Sequence, residues 1–384
     1  MSKVNMLEEM SINELRGFIP LVGGELTVVV QSEPGCGKSS LLSMIAEDNG
    51  DKWRSPKDGY NIEGDKYDYV YVDCPVKDMS DIGMTIPNHG TQTLEYYVSS
   101  LFNLASDKPK VILLDEFMKS PKLLQVVFTR LMLERMVGDK PLPDGAELKS
   151  IVFASSNNAS DGVGDSMLAH AGNRVCIVPM SKPTVSEWLT WAGQTITIGD
   201  KIQARVSRVI RAAVAMFPKC LSSYKHGDQQ DNPYIFKPSS TNLSFVSPRS
   251  LAKCDVIVKN RDKLSDNAVK VGLAGTVGMA FAADMAAFIS LESTLIQVDD
   301  IIKNPETIEV PTEISAQLMI MFQAVDTLKT QDDLTKFMTF VERIPSEEIQ
   351  GVFFTMAMRT PSLLRLARNN TKISKWTENN HDMF

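Results

Sequence analysis

The feature that most constrains the fold is the stretch SEPGCGKSS, residues 32–40, which directly follows the apolar run LTVVVQ of residues 26–31. This order predicts a buried strand, a phosphate-binding loop and the start of a helix near Lys38. Backbone N–H groups of such a loop surround a phosphate, and glycines allow the close approach. We predict that nucleotide phosphates contact Pro34, Gly35, Cys36, Gly37, Lys38, Ser39 and Ser40.

Within this loop, Lys38 is expected to bind the β- and γ-phosphates and Ser39 to ligate Mg²⁺. The general pattern begins with glycine where this chain has Ser32, at the turn out of the strand. A small side chain is compatible with that turn, so we predict a working loop. The alternative interpretation is a generic Gly/Pro turn. Cys36 is interpreted as a small filler, with a redox-sensitive thiol as the alternative.

A second element is VILLDEF, residues 111–117, four apolar residues followed by two carboxylates. Asp115 is predicted to hold the Mg²⁺ shell, and Glu116 to polarise the attacking water as a general base or orienter. Taken alone, such a run is explained equally well by a solvated strand end. Together with a phosphate loop, it predicts hydrolysis of a phosphoanhydride.

A third element is IVFASSNN, residues 151–158, another apolar run that ends in small polar residues. An amide at this place can hydrogen-bond both a γ-phosphate and the attacking water. We predict this role for Asn157, with Asn158 as the competing candidate. The alternative is a turn-forming asparagine pair without a catalytic role.

Two arginines complete the set of candidates. Arg174 precedes the apolar run of residues 175–178, and we predict that it stabilises transition-state charge in a neighbouring subunit. The alternative is a surface arginine at a helix end. Arg249, in the SPR stretch of residues 247–249, opens a predicted helix and is expected to close onto the γ-phosphate in cis.

Five short apolar runs alternate with helical patterns in the first half of the chain, which predicts a parallel sheet covered by helices. These runs cover residues 26–31, 67–73, 111–114, 151–154 and 175–178. The pattern becomes helical near Pro183. We expect an ATPase core over residues 1–184, a helical lid over 185–304 and a C-terminal helical region over 305–384.

Composition limits the class of partners. The formal net charge of the 384 residues is −7, the wrong sign for a broad nucleic-acid surface. The five cysteines form no CxxC pair, which predicts reduced thiols. Because the first ten residues lack an apolar signal segment and no apolar run approaches about 20 residues, we expect a cytoplasmic protein without a membrane partner.

In this order, SEPGCGKS, VILLDEF, ASSNN, GNRV and SPRS resemble the motifs of AAA+ ATPases. The DIGMTIP, LPDG and EWLTWA stretches make the chain similar to the MoxR-like branch, especially the stand-alone type of bacteriophage genomes. The resemblance implies an αβα P-loop NTPase core with a five-stranded parallel sheet and a helical lid. It also implies a homo-oligomeric ring, usually a hexamer, with ATP and Mg²⁺ between subunits and Arg174 supplied by the next one.

The resemblance further implies chaperone-like remodelling of protein targets, often with a separate von Willebrand factor A-type partner, in the host cytoplasm if the chain is phage-encoded. Two other functions stay open. One is a nucleic-acid motor or loader in phage replication, against which the acidic balance argues. The other is a nucleotide-gated assembly scaffold with little turnover, against which Glu116 and Asn157 argue. The helix-2 insert pattern of the family is not evident after DIGMTIP.

Overall fold

The computed structural model describes residues 8–51, 61–158, 172–198, 201–240, 242–292 and 294–379. Contacts divide the chain into two compact units, Met1–Lys182 and Pro183–Phe384, each of which is described by itself. The predicted limits at residues 184 and 304 stay predictions.

The first unit is built on a six-stranded sheet in the order β10–β1–β9–β6–β3–β2. Five of its strands are parallel to one another. The sixth strand, β2, lies at the edge of the sheet and pairs antiparallel with β3. The strands of this unit are β1 Val28–Ser32, β2 Asn61–Glu63, β3 Asp68–Asp73, β4 Gly83–Asn88, β5 Thr93–Val98, β6 Lys110–Asp115, β7 Met136–Val137, β8 Lys140–Pro141, β9 Ile151–Asn157 and β10 Cys176–Pro179.

Helices cover both faces of this sheet, because alternate residues of each strand point to opposite sides. The helices are α1 Ile12–Val22, α2 Ser40–Asp48, α3 Met79–Ile82 and α4 Lys122–Glu134. Val28 and Val30 pack with residues of α1 and α2 in one apolar core. Val29 packs with residues of α4 in the other. The predicted αβα core with five parallel strands is therefore confirmed.

Two antiparallel hairpins, β4–β5 and β7–β8, lie outside the main sheet. Gly138, in the turn of the second hairpin, has a φ of 62°. A Cβ atom added there would lie 2.0 Å from the ring of Tyr96 in β5. The tyrosine ring therefore packs directly on the glycine backbone, and any side chain at residue 138 would separate the two hairpins.

The second unit is mainly helical, as the sequence pattern predicts. Its elements are α5 Val185–Gly193, β11 Thr195–Ile198, β12 Lys201–Ala204, α6 Arg208–Met216, α7 Pro248–Lys259, α8 Asp266–Val277, α9 Met279–Glu292, α10 Val298–Lys303, α11 Ile314–Thr327, α12 Gln331–Val341, α13 Glu347–Arg359, α14 Pro361–Arg368 and α15 Thr371–Asn379. The β11–β12 hairpin departs from the all-helical prediction: alternating Thr and Ile residues favour an extended chain.

A single apolar core runs through this second unit, from Trp188 to Ile373. Helix α11 lies at its centre, since every residue from Ala316 to Val325 is buried. Across the described parts of the chain, no helix combines the length and the apolar character that a bilayer crossing needs.

Candidate active site

The phosphate loop lies between the carboxyl end of β1 and the start of α2. Gly35 and Gly37 have φ angles of 78° and 97°, a left-handed conformation that disfavours other residues. Ser32 is the last residue of β1 and keeps a negative φ, so glycine is not required there. The turn out of the strand, predicted at Ser32, begins after it.

Lys38 is 93% buried, with a relative exposure of only 7%, and its ammonium group points back into the loop. Its Nζ donates to Ser32 O at 3.1 Å, to Ser32 Oγ at 3.2 Å and to Glu33 O at 3.2 Å. It also donates to Asn157 Oδ1 at 3.0 Å. The serine that replaces the first loop glycine thus contributes an acceptor for the lysine, and Asn157 lies within reach of the same ammonium.

Asp115 ends β6 with its carboxylate surrounded by hydroxyl groups. Ser39 Oγ donates to Asp115 Oδ2 at 2.8 Å, and Tyr71 OH donates to the same oxygen at 2.7 Å. Ser155 Oγ donates to Asp115 Oδ1. Although Ser39 is the N-cap of α2, its hydroxyl makes no capping hydrogen bond. The predicted metal pair, Ser39 and Asp115, is therefore brought into direct contact.

Glu116 follows Asp115 with φ 52° and ψ 36°, a left-handed conformation that is rare for a residue with a side chain. Its backbone N–H donates to Ser155 Oγ at 3.1 Å. Its carboxylate accepts from Lys119 Nζ at 2.7 Å, three residues along the chain. This backbone turn separates the directions of the two successive carboxylates.

A third carboxylate, Asp73, lies beside these two because it is opposite Asp115 in the register of β3 and β6. Burial raises the pKa of Asp73, and the negative charges of Asp115 and Glu116 raise it further. Burial likewise raises the pKa of Tyr71, with the adjacent Asp115 charge as the next cause, so this phenol stays a hydrogen-bond donor. Three carboxylates therefore lie together at the carboxyl edge of the sheet, and Lys77 and Lys119 offset part of their effect on Asp73.

The donor set fits Mg²⁺, which prefers oxygen ligands and is usually bound through one or two carboxylates plus substrate phosphates. Ser39 and Asp115 would hold the ion, and phosphate oxygens and water would complete its shell. Among the described residues, no group of three or more Asp, Glu, His or Cys side chains is arranged to hold a metal by itself.

Cys36 is buried in the loop, with a relative exposure of 1%. Burial raises the pKa of its thiol to about 11. A redox-sensitive cysteine needs an accessible thiolate, so this geometry favours the small-filler interpretation. Pro34 and Ser40 lie where the sequence predicts, in the loop and at the first position of α2.

Of the two candidate arginines, Arg174 lies in the first unit but not in this cluster. Arg174 is exposed and precedes β10, so it lies at the amino edge of the sheet. The phosphate loop lies at the carboxyl edge, beyond a strand β1 that rises about 13 Å. Arg249 is exposed at the second position of α7, in the second unit.

Three contacts at the site involve residues that the sequence did not single out. They are Tyr71 and Ser155 on Asp115, and Lys119 on Glu116. Ser155 is part of the IVFASSNN stretch, and Lys119 lies two residues after VILLDEF. A search for hydroxyl side chains at the ends of buried strands would identify Ser155. Tyr71 looks like one apolar strand residue among several, and only the pairing of β3 with β6 reveals its role.

No family model matches this chain, and no curated protein sequence matches it either. Among solved structures, it is similar to the Holliday junction branch migration motor RuvB of Thermotoga maritima, with 12% identity, a TM-score of 0.33 and 82% of each chain covered. It is also similar to NtrX from Brucella abortus in complex with ATP, with 13% identity, a TM-score of 0.34 and coverage of 98% of this chain and 70% of NtrX. Identities and TM-scores this low say nothing about activity, which depends on the geometry of the site.

Three features occur together in the first unit. Five parallel strands lie between two layers of helices, a glycine-containing loop joins β1 to α2, and an Asp-Glu pair ends the strand β6. Lys38 and Ser39 of the loop converge on side chains from β9 and β6. The chain therefore has the α/β architecture of a P-loop NTPase core.

Proposed function

We propose that this chain is an AAA+ ATPase that binds ATP with Mg²⁺ and hydrolyses it to ADP and phosphate. The observation that carries the proposal is the contact between Ser39 Oγ and Asp115 Oδ2 at 2.8 Å. It joins the phosphate loop to the acidic strand end at the place where a metal-bound nucleotide would need both. A generic Gly/Pro turn has no reason to place a helix-capping serine on a buried carboxylate.

In this proposal, the loop N–H groups and Lys38 bind the phosphates, and Mg²⁺ lies between Ser39 and Asp115. Glu116 then activates the attacking water, because its carboxylate is turned away from the metal pair by the left-handed backbone. Asn157 already accepts a hydrogen bond from Lys38, which fits a contact with the γ-phosphate. A Mg²⁺ ion held by Ser39 and Asp115 would supply positive charge to the phosphate oxygens.

We further propose that the site is completed in a homo-oligomeric ring, with Arg174 acting on the ATP of a neighbouring subunit. The amino-edge position of Arg174 supports this role, since the arginine lies far from the phosphate loop of its own subunit. Arg249 is proposed as the lid arginine that contacts the γ-phosphate. MoxR-like remodelling of protein targets is the biological role that we propose for such a ring.

The activity is tested by steady-state phosphate release with ATP and Mg²⁺. Changing Glu116→Gln is expected to lower kcat by about 100-fold or more while ATP still binds, because a general base is lost. Glu134→Gln, on the exposed side of α4, is the matched control and should turn over like the wild type. Undiminished turnover in Glu116→Gln would exclude the role of Glu116.

The trans role of Arg174 is tested by mixing two inactive variants. Arg174→Ala should bind ATP without hydrolysing it. Glu116→Gln subunits retain Arg174 and can supply it to Arg174→Ala neighbours, so mixed assemblies should regain activity. No recovery at any ratio, with mixed assemblies shown by native mass spectrometry, would contradict a trans role.

A further inference from the structure

Through one hydroxyl group, Ser155 contacts the carboxylate of Asp115 and the backbone N–H of Glu116. Its Oγ–H donates to Asp115 Oδ1, and its Oγ accepts the backbone N–H of Glu116 at 3.1 Å. Ser155 itself is buried, with a relative exposure of 1%. The hydroxyl group of Ser155 therefore donates to the predicted metal ligand, Asp115, and accepts from the predicted water-activating residue, Glu116.

The position of Ser155 follows from strand register. Ala154 in β9 is opposite Leu114 in β6, so the next residues of the two strands, Ser155 and Asp115, are neighbours. Ser155 precedes Asn157 by two residues on the same strand. Its hydroxyl thus connects the strand that carries Asn157 to the strand end that carries Asp115 and Glu116.

The backbone of Glu116 needs such a partner. Its φ of 52° places it in the left-handed region, which is unfavourable for a residue with a Cβ atom. Strained backbone persists only where surrounding contacts determine it. The Ser155 hydroxyl accepts the N–H of this residue, while the N–H of Lys119 donates to Glu116 O at 2.9 Å on the other side.

We propose that Ser155 is a positioning residue that fixes the metal carboxylate and the water-activating carboxylate relative to each other. This inference rests on the proposed ATPase function and deepens it. Ser155 would not touch ATP. It would set the direction of Asp115 toward the metal and hold the turn that aims Glu116 at the attacking water.

The neighbouring serine provides a matched control. Ser156 is also buried in β9, and its Oγ donates to Asn157 O at 3.1 Å. Ser155→Ala and Ser156→Ala each remove one buried hydroxyl from adjacent positions of the same strand. Only the first removes the contacts with the Asp115 carboxylate and the Glu116 backbone N–H.

We expect Ser155→Ala to lower kcat by about 10- to 100-fold, as expected for lost hydrogen bonds to a charged group and to a constrained backbone N–H. Its KM for ATP should stay within about threefold of the wild-type value, because Lys38 and the loop bind the phosphates. Ser156→Ala should stay close to the wild type in both constants. Equal kcat values in the two variants would overturn the proposal.

A second readout does not depend on hydrolysis. The affinity of Mn²⁺ for the protein with ADP bound, measured by electron paramagnetic resonance, should fall about tenfold in Ser155→Ala and stay unchanged in Ser156→Ala. If the wild type bound Mn²⁺–ADP without releasing phosphate from ATP, the proposed hydrolysis would fail while Ser155 was still tested. No Mn²⁺–ADP binding by the wild type would overturn both.

A second pair of variants is used if Ser155→Ala does not fold. Ser155→Thr keeps the hydroxyl and Ser155→Val replaces it with a methyl group of similar size. The threonine variant should bind Mn²⁺–ADP more tightly than the valine variant. Equal affinities in these two variants would overturn the role of the hydroxyl.

Discussion

The paired strands β3 and β6 place opposite charges next to each other at their amino ends and like charges at their carboxyl ends. At the amino ends, Asp68 is opposite Lys110 in the register, and Lys110 Nζ binds Asp68 Oδ2 at 2.6 Å with both side chains fully buried. At the carboxyl ends, Asp73 is opposite Asp115, and two like charges are neighbours. The same pair of strands therefore carries a neutral pair at one edge and two adjacent carboxylates at the other, where Lys77 and Lys119 offset part of the charge.

This difference indicates that the amino edge stabilises the fold and that the carboxyl edge forms the candidate site. Lys110 also donates to Ser106 O at 3.0 Å, and Asn103 donates to Asp68 Oδ2 at 3.0 Å, so the amino edge compensates its charge internally. The hydrogen bonds of Asp115 come from hydroxyl groups, which orient a carboxylate without neutralising it.

The largest effect on stability is expected at the amino edge. Lys110→Met leaves the Asp68 charge buried without its cation, which should lower the free energy of unfolding by about 3–5 kcal/mol. Urea denaturation, followed by circular dichroism, measures this change. A loss below about 1 kcal/mol would show that the pair is not the structural element described above.

The double variant Asp68→Asn with Lys110→Met is the control for that change. Removing both charges should recover most of the lost stability, because no unpaired buried charge remains. A double variant as unstable as Lys110→Met alone would mean that packing, and not charge, explains the loss.

At the carboxyl edge, Asp115→Asn should have a much smaller effect on folding. It removes a like charge beside Asp73 but weakens the hydroxyl hydrogen bonds to a buried carboxylate, and because these effects oppose each other, the free energy of unfolding without metal should change less than in Lys110→Met. Mg²⁺ with ADP should stabilise the wild type through binding, and Asp115→Asn should lose most of that stabilisation. Thermal unfolding with and without Mg²⁺–ADP measures both quantities.

Asp73→Asn should stabilise the metal-free protein in a pH-dependent way. The pKa of Asp73 is raised in the folded state above its ordinary value of 3.8, so its charged form is disfavoured by folding. At pH below 3.8 the carboxyl group is protonated in both states and the substitution should have no effect. As pH rises above 3.8 and through the raised pKa, the variant should become more stable than the wild type.

That prediction is measured by denaturation in EDTA across pH 3–7. A variant that gains stability only at low pH, or that is less stable than the wild type at neutral pH, would contradict the raised pKa of Asp73.

The smallest effect is expected for Lys119→Met. Its ion pair with Glu116 is partly exposed on both sides, and such pairs contribute about 0–1 kcal/mol. Stability should therefore hardly change, and kcat should change by less than about fivefold, as that energy implies. A loss as large as that of Glu116→Gln would assign Lys119 a much larger part in hydrolysis than its exposure indicates.

The parallel strands were predictable because each is a continuous apolar run with both faces buried. The predicted run of residues 151–154 corresponds to Ile151–Asn157, and that of residues 111–114 to Lys110–Asp115. Loop glycines, the lysine and the acidic pair were also predictable, since each has a local pattern. These two strands are longer than predicted because polar residues such as Ser155 and Asp115 continue the sheet into the site.

Contacts between strands were not predictable from local patterns. Tyr71 reaches Asp115 only because β3 pairs with β6 in one particular register. The β4–β5 hairpin was missed because Pro87 and exposed polar residues interrupt its apolar pattern. The left-handed turn at Glu116 carries no glycine that would mark it.

The most direct test of a metal-nucleotide site at the carboxyl edge is calorimetric titration of the protein with a non-hydrolysable ATP analogue, in Mg²⁺ and in EDTA. The geometry of Ser39 and Asp115 predicts binding that is at least about tenfold tighter in Mg²⁺, and loss of this difference in Asp115→Asn. Equal affinity in Mg²⁺ and EDTA, or no binding of the analogue, would contradict the assignment of the carboxyl edge to a metal-bound nucleotide.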